Sequence, residues 1–288
     1  KFQKCLVVCY DINAVKKHFR EHKNLYFVKY ETDDTWARDC STLSVGEGSQ
    51  TELLNFTFNA WGLKFEASQD NAMNAELQKY YSKKMRTVDF VLEGGAVESN
   101  GVDTILTTSA CMLNKNRNAV LNAEQVTQKL NAYFGATKVL YLEHGYLAGD
   151  DTDSHIDTLA RFIDTSTIMY VKCKDESDEH FDELRLMERE LQEMADKHNF
   201  KLIPLPMSDA ICYEEERLPA TYANFLFVNG AVLVPTYGVK QDEVALKIFK
   251  DTFTQREIVE VDCSVLIRQH GSLHCVTMNF ASGVSLLV

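Results

Sequence analysis

The sequence predicts a mixed α/β protein, and three observations carry that prediction. Short apolar or alternating runs, the signature of strands, recur along the whole chain. Between several of them stand stretches whose apolar residues return at helical spacing, with charged residues opposite. Near the C-terminal end Asn229-Gly230 joins FLFV to AVLVP, turn chemistry between apolar runs that marks a hairpin.

In chain order the strand signals are KCLVVCY, LYFVKY, LLNFTF, DFVLEGG, VDTILTT, KVLYLE, TIMYVK, KLIPLP, FLFVNGAVLVP, EIVEVDC and LHCVTM. The helical signals are residues 71–85, 123–134, 179–198 and 242–253. At Asn229-Gly230 a type I′ turn is expected, with positive φ at both positions and antiparallel strands on either side. Strand-strand-helix units follow one another without a sequence repeat, so mixed sheets are predicted but not their arrangement.

Composition narrows the function. A chain of 288 residues, 45% hydrophobic and without a Pro/Ser-rich linker, can bury a core as one large domain or two small ones. A formal charge of -12 and no dense Lys/Arg cluster argue against a nucleic-acid partner and suit a small cationic ligand. Eight scattered cysteines without a Cys-x-x-Cys pair argue against structural zinc and against a disulfide scaffold. No run approaches the ~20 apolar residues of a membrane span, and no signal-peptide pattern opens the chain. A cytoplasmic, reduced protein without membrane association is expected. The chain opens almost at once on a strand signal, so further preceding sequence is expected.

Four segments could carry chemistry. In GDDTDSHIDT, His155 and Asp157 would point to one face if extended, converging a general base and a carboxylate; a solvated acidic turn is the plainer reading. In GSLHCVTM, Cys275 follows a Gly-marked turn, and a thiol becomes a strong nucleophile once a positive charge ionises it. Strand alternation points the adjacent His274 away, so the distant His155 is the preferred acid/base; most free cysteines are nonetheless core. In DDTWARDC, Asp39 could grip a cation through paired N–H donors, while Arg38 is read as a structural salt-bridge donor. In LEGG, Glu93 ends a strand before two glycines that permit close backbone approach. A competing motif, His18 to His22, fits the H-x-x-E-H zinc pattern in a stretch read as helical, but it lacks a further ligand and a core-facing helix.

Taken together, TDDTWARD, FNAWG, VLEGG, LNKNRN, DDTDSHIDTLARF, LPATYANF and HGSLHC stand in this order over residues 32–275. In that succession the chain resembles the agmatine deiminase and bacterial peptidylarginine deiminase family of the pentein superfamily. The resemblance implies one catalytic domain over residues 1–288, built as a five-bladed α/β propeller of strand-strand-helix units around a deep channel. It further implies Cys275 as nucleophile, His155 as general acid/base, and Asp157, Asp39 and Glu93 as carboxylates around a guanidinium. Asp151, Asn224 and Trp36 match further substrate-side positions. The family's Gly-rich approach to the cysteine is reduced here to His270-Gly271-Ser272.

The implied reaction needs neither metal nor cofactor: carboxylates fix a planar cation, a thiolate attacks its carbon, and an imidazole moves the protons. Agmatine, which carries a second cation at its far end, suits an acidic channel better than free or peptidyl arginine; Asp33, Asp34, Asp70 and Asp151 are the acids available to it. Polyamine synthesis is the pathway implied. A non-catalytic guanidine-binding protein of the same fold is the alternative from another class. Related enzymes are often homo-oligomers, and no stripe in this sequence marks a pairing face.

Overall fold

Five pairs of parallel strands organise the molecule, each pair joined by a helix-bearing crossover because parallel neighbours cannot be linked by a tight turn. The computed structural model describes residues 3–288. In the first unit Cys5–Cys9 pairs with Leu25–Lys29 across the short helix Ile12–Lys16. Each of the other four adds an antiparallel strand ahead of the parallel pair. The second contains Leu43–Val45, Glu52–Thr57 and Met85–Val91, and the third Glu98–Ser99, Thr104–Thr108 and Lys138–Leu142. Ala160–Phe162, Thr167–Lys172 and Lys201–Pro206 make the fourth, and Leu226–Val228, Ala231–Thr236 and Glu257–Asp262 the fifth. The mixed-sheet prediction thus resolves into one connectivity repeated four times.

The crossover helices bury one stripe each. Ala123–Phe134 begins with a capping box between Asn122 and Gln125 and ends at left-handed Gly135, so its predicted bounds hold. Phe181–His198 buries Leu184, Met187, Leu191 and Ala195, and Gln241–Thr252 buries Ala245, Leu246 and Phe249. Those two helices enclose the largest apolar cluster, which fills the fourth and fifth units. A second cluster joins the helix Ser68–Leu77 to Leu6, Val8 and the C-terminal Phe280, Val284 and Leu286.

Four local predictions are corrected. The helix expected over residues 71–85 runs over Ser68–Leu77, and Met85 is already in a strand. The Gln78 side chain donates to Lys83 O and accepts from Met85 N, so it turns the chain where periodicity alone would continue it. LHCVTM is not a strand: Val276 N donates to Ser272 O and Thr277 N to His274 O, local bonds that leave nothing for a ladder. At the hairpin Val228 pairs with Ala231 as expected, but only Gly230 has positive φ, the pattern of a type II rather than a type I′ turn. His18 to His22 lies beyond the helix Ile12–Lys16, so no helix face brings the two exposed histidines together.

A candidate active site where one-turn segments meet

The chain makes a single tight turn just before the first strand of each complete unit. These turns are Ala37–Cys40, Gly94–Ala96, Ile156–Thr158 and Tyr222–Asn224. Successive turns touch one another. Beyond the fifth unit, His274 N donates to Asn224 O at 3.2 Å and Arg38 N donates to Cys275 O at 2.9 Å, so the segment holding Cys275 bridges the last turn and the first. Asp39, Glu93, His155, Asp157, Asn224 and Cys275, far apart in sequence, are thereby gathered.

Asp39 is buried with both oxygens engaged: Oδ1 accepts from Gly95 N at 2.9 Å and Oδ2 from Trp61 Nε1 at 3.0 Å. His155 lies against it, with Nδ1 3.6 Å from Asp39 Oδ1. The expectation that residues 155–157 are extended is replaced by a 3-10 turn, which still buries both His155 and Asp157. Gly95 shows how tight the junction is. A Cβ there would lie 2.6 Å from His155 Nδ1, 2.9 Å from Asp39 Oδ1 and 3.1 Å from Asp157 Oδ2. The close approach read from the LEGG glycines is therefore to three groups of the site at once.

Asp157 Oδ2 is bonded to His274 Nδ1 at 2.7 Å, and His274 Nε2 stands 3.1 Å from Arg161 Nη2. Sequence alternation set His274 aside; its turn instead buries it as the holder of Asp157, a role that only contact across 117 residues could reveal. Asn224 grips the Cys275 segment, with Oδ1 accepting from His274 N at 2.8 Å and Nδ2 donating to Cys275 Sγ at 3.3 Å.

Glu93 is brought beside His155 but is not free. It is fully buried, and both oxygens accept from Arg117 Nε at 2.9 Å. Arg117 continues to Asp153 Oδ2 at 2.7 Å and Thr152 O at 2.9 Å. Sequence reasoning missed Arg117 and Trp61, although both lie inside motifs it singled out, LNKNRN and FNAWG. Ligand atoms of Glu93, Cys111 and His155 lie within 4.8 Å of one another, close enough to hold a metal ion, but the Arg117 guanidinium on Glu93 opposes a cation there.

The outer residues are less closely joined. Trp36 is buried, with its ring where a Cβ on Gly271 would come within 2.4 Å, so the shortened His270-Gly271-Ser272 approach is shaped around the indole. His270 takes left-handed φ and meets Gly149 O at 2.8 Å. The Asp151 side chain is half-buried, with its own backbone N–H donating to it and the charges of His270 and Lys64 nearby. Asp70 accepts from Asp33 N and Asp34 N, while Asp33 accepts from Gln69 N, so these acids cap one another's backbone.

Burial sets the charges. It pushes the Asp157 carboxyl up to about 7 and, with Asp157 beside it, drives Asp39 well above the usual carboxylate range. It also pushes the Cys275 thiol well above its ordinary value, with Asp157 and Asp39 adding to the effect, and holds His155 well below its own. Burial thus favours a neutral thiol and a neutral imidazole, beside two carboxyl groups, Asp39 and Asp157, whose ion-pair partners among the described residues are histidines and not Arg or Lys. A planar cation able to donate several N–H bonds is what such a site would accept.

Repeated mixed sheets around a thiol, an imidazole and carboxylates define a class: α/β proteins arranged for thiol chemistry on planar cations. Residues 1–280 match the Porphyromonas-type peptidyl-arginine deiminase family, and the chain belongs to it. Agmatine deiminase of Stutzerimonas stutzeri is 30% identical, over 87% of this chain and 75% of that protein. A Cys-to-Ser variant of agmatine deiminase from C. jejuni, solved with substrate bound, is 44% identical with a TM-score of 0.92, over 98% of this chain and 84% of that one. An amidinotransferase from Microseira wollei, 13% identical with a TM-score of 0.55 over 92% and 79%, shares the fold.

Proposed function

We propose that this chain hydrolyses the guanidinium of agmatine to N-carbamoylputrescine and ammonia through a covalent amidino-cysteine. One observation carries the reading. Of the six buried side-chain polar atoms without a partner among the described residues, two are His155 Nε2 and Asp157 Oδ1. Buried polar atoms are rarely left unpaired, and an imidazole nitrogen and a carboxylate oxygen are the acceptors that guanidinium N–H groups would satisfy.

The bound cation offsets the carboxylates that hold Cys275 protonated, so the thiol loses its proton to His155 and the thiolate attacks the guanidinium carbon. Asp39 and Asp157 fix the group in plane. Imidazolium His155 gives its proton to the departing ammonia, leaving the amidino-cysteine. Neutral His155 then takes a proton from water; hydroxide adds to the same carbon, the C–S bond breaks, and the ureido product leaves as its C–OH proton passes to solvent and imidazolium His155 returns a proton to the thiolate. Asn224 Nδ2 steadies the sulfur throughout. Trp36 walls the site, and Glu93, locked on Arg117, lies beside His155 without a direct bond to substrate.

Agmatine is favoured over arginine because a substrate carboxylate would need a free cation. Arg117, Arg161 and Lys64 are each already paired with a carboxylate. Asp151 is left for the distal amine. The agmatine deiminases among the relatives support the same choice. We also infer that the four repeated units, the first strand pair and the C-terminal segment close into a five-bladed propeller, with the bridging turns at its centre.

The test is ammonia release from agmatine, free arginine and a peptidylarginine at equal concentration. The expected result is turnover of agmatine alone, abolished in Cys275→Ala. Turnover of the arginine substrates instead, or activity surviving without the thiol, would overturn the proposal.

A further inference from the structure

We infer that Trp61 is a positioning residue, whose indole N–H holds the Asp39 carboxylate in the orientation that grips the substrate's guanidinium, and that the left-handed turn over residues 60–63 serves to deliver it. The inference rests on Asp39 being a guanidinium clamp, as proposed above.

Ala60, Trp61, Gly62 and Leu63 all have positive φ, from 51° to 85°. Three of the four carry side chains, and L-residues enter this region singly and reluctantly. Local bonds hold the turn: Asn59 Oδ1 accepts from Gly62 N at 3.0 Å, and Asn59 Nδ2 donates to Asn116 O at 2.9 Å. Gly62 sits where a Cβ would be 3.3 Å from Asn116 Cβ and 3.5 Å from Arg117 Nη1, so the turn presses against the segment that engages Glu93. Core packing alone does not require this conformation, since Trp61 meets Phe58 and Phe65 edge-on as any aromatic ring could. What the turn accomplishes specifically is the 3.0 Å bond from a buried indole N–H to Asp39 Oδ2.

That bond and the one from Gly95 N occupy one acceptor direction on each oxygen, which fixes the carboxylate's rotation and leaves the remaining directions to a ligand. They also oppose protonation. Asp157, Glu93 and the Cys275 sulfur face Asp39 with like charge when ionised, His155 Nδ1 is 3.6 Å away and neutral, and on its own turn Arg38 is the nearby cation while Cys40 is a buried thiol. Removing the Trp61 N–H would raise the pH at which Asp39 loses its proton. Because the ionised form binds the guanidinium, the acid limb of kcat/KM would move to higher pH.

The experiment is the pH dependence of kcat and kcat/KM for agmatine in wild type and Trp61→Phe, which keeps an aromatic ring and deletes the donor. The expected result is a fall of about tenfold in kcat/KM at neutral pH, the worth of one hydrogen bond to a charged group, and an acid limb displaced upward by about one pH unit. A folded variant whose acid limb stays in place would overturn the inference, since a merely structural role lowers activity without moving it. Should Trp61→Phe fail to fold, replacing Trp61 with benzothienylalanine, which exchanges the ring N–H for sulfur at constant shape, is read by the same criterion. If wild type itself released no ammonia from agmatine, the functional proposal would fall, which is a different result from an unmoved limb.

Discussion

Asp157 is the residue on which burial and function conflict most visibly. One oxygen is held by His274, the other has no partner, and the carboxyl is pushed up to about 7 because burial opposes its charge. A carboxyl whose folded value is raised binds its proton more tightly in the native state. Its contribution to stability is full below the unfolded value near 3.8 and is lost as pH rises toward 7. Asp157→Asn removes that dependence. The stability of the variant relative to wild type should therefore rise between pH 4 and pH 7, by up to about 4 kcal/mol. Urea unfolding of both proteins across that range would show it, and a constant difference would mean that Asp157 does not titrate there. Agmatine turnover should be lost in the same variant. At this scale the sequence was informative about residue types: Cys275, His155, Asp157 and Asp39 are gathered as expected. What it could not supply was partnership. That Glu93 is held by Arg117, and that His274 steadies Asp157, follow from contacts that no local pattern records.

The elements that matter for chemistry are the shortest ones. Strands and crossover helices announced themselves through periodicity, whereas each site residue lies on or beside a turn of three or four residues with no period to read. That is why the segments around His155 and Cys275 were expected as strands and proved to be turns. It is also why the placement of Asp157 beside His155 was right while the extended geometry behind it was wrong. Gly95 offers an element-scale test. Adding one methyl in Gly95→Ala would force apart His155, Asp39 and Asp157, which lie 2.6–3.1 Å from the new carbon. Because the turn backbone there needs no positive φ, the protein should fold with unchanged circular dichroism. Its kcat/KM for agmatine should fall at least about a hundredfold, as expected when reacting groups are displaced by an ångström. Activity within a few-fold of wild type would show that the junction is looser than these distances indicate.

Across the whole molecule, buried arginines bind the units together. Arg161, from the fourth unit, donates to Glu98 Oε2 of the third at 2.7 Å and to the carbonyls of Ala223 and Phe225 at the entrance to the fifth, and it meets His274. Arg161→Ala would leave the Glu98 carboxylate buried without its cation. A loss of roughly 3–5 kcal/mol of unfolding free energy is expected, measurable by urea denaturation at pH 7; a loss under about 1 kcal/mol would show that the units cohere without this link. The sequence by itself determined the class of the chain: mixed sheets from its periodicities, an acidic composition suited to a cation, and, through seven ordered motifs, the family and the residues Cys275, His155, Asp157 and Asp39 as candidates for its site. Those properties are local in composition and order, so they survive reading along one dimension. Tertiary structure alone decided that repeated units bring their entry turns together, that Trp61 and Arg117 hold Asp39 and Glu93, and that His155 Nε2 and Asp157 Oδ1 are buried without a hydrogen-bond partner among the described residues. The reason is physical: hydrogen bonds and desolvation depend on which groups meet in space, and the Trp61–Asp39 and Asp157–His274 bonds join groups 22 and 117 residues apart.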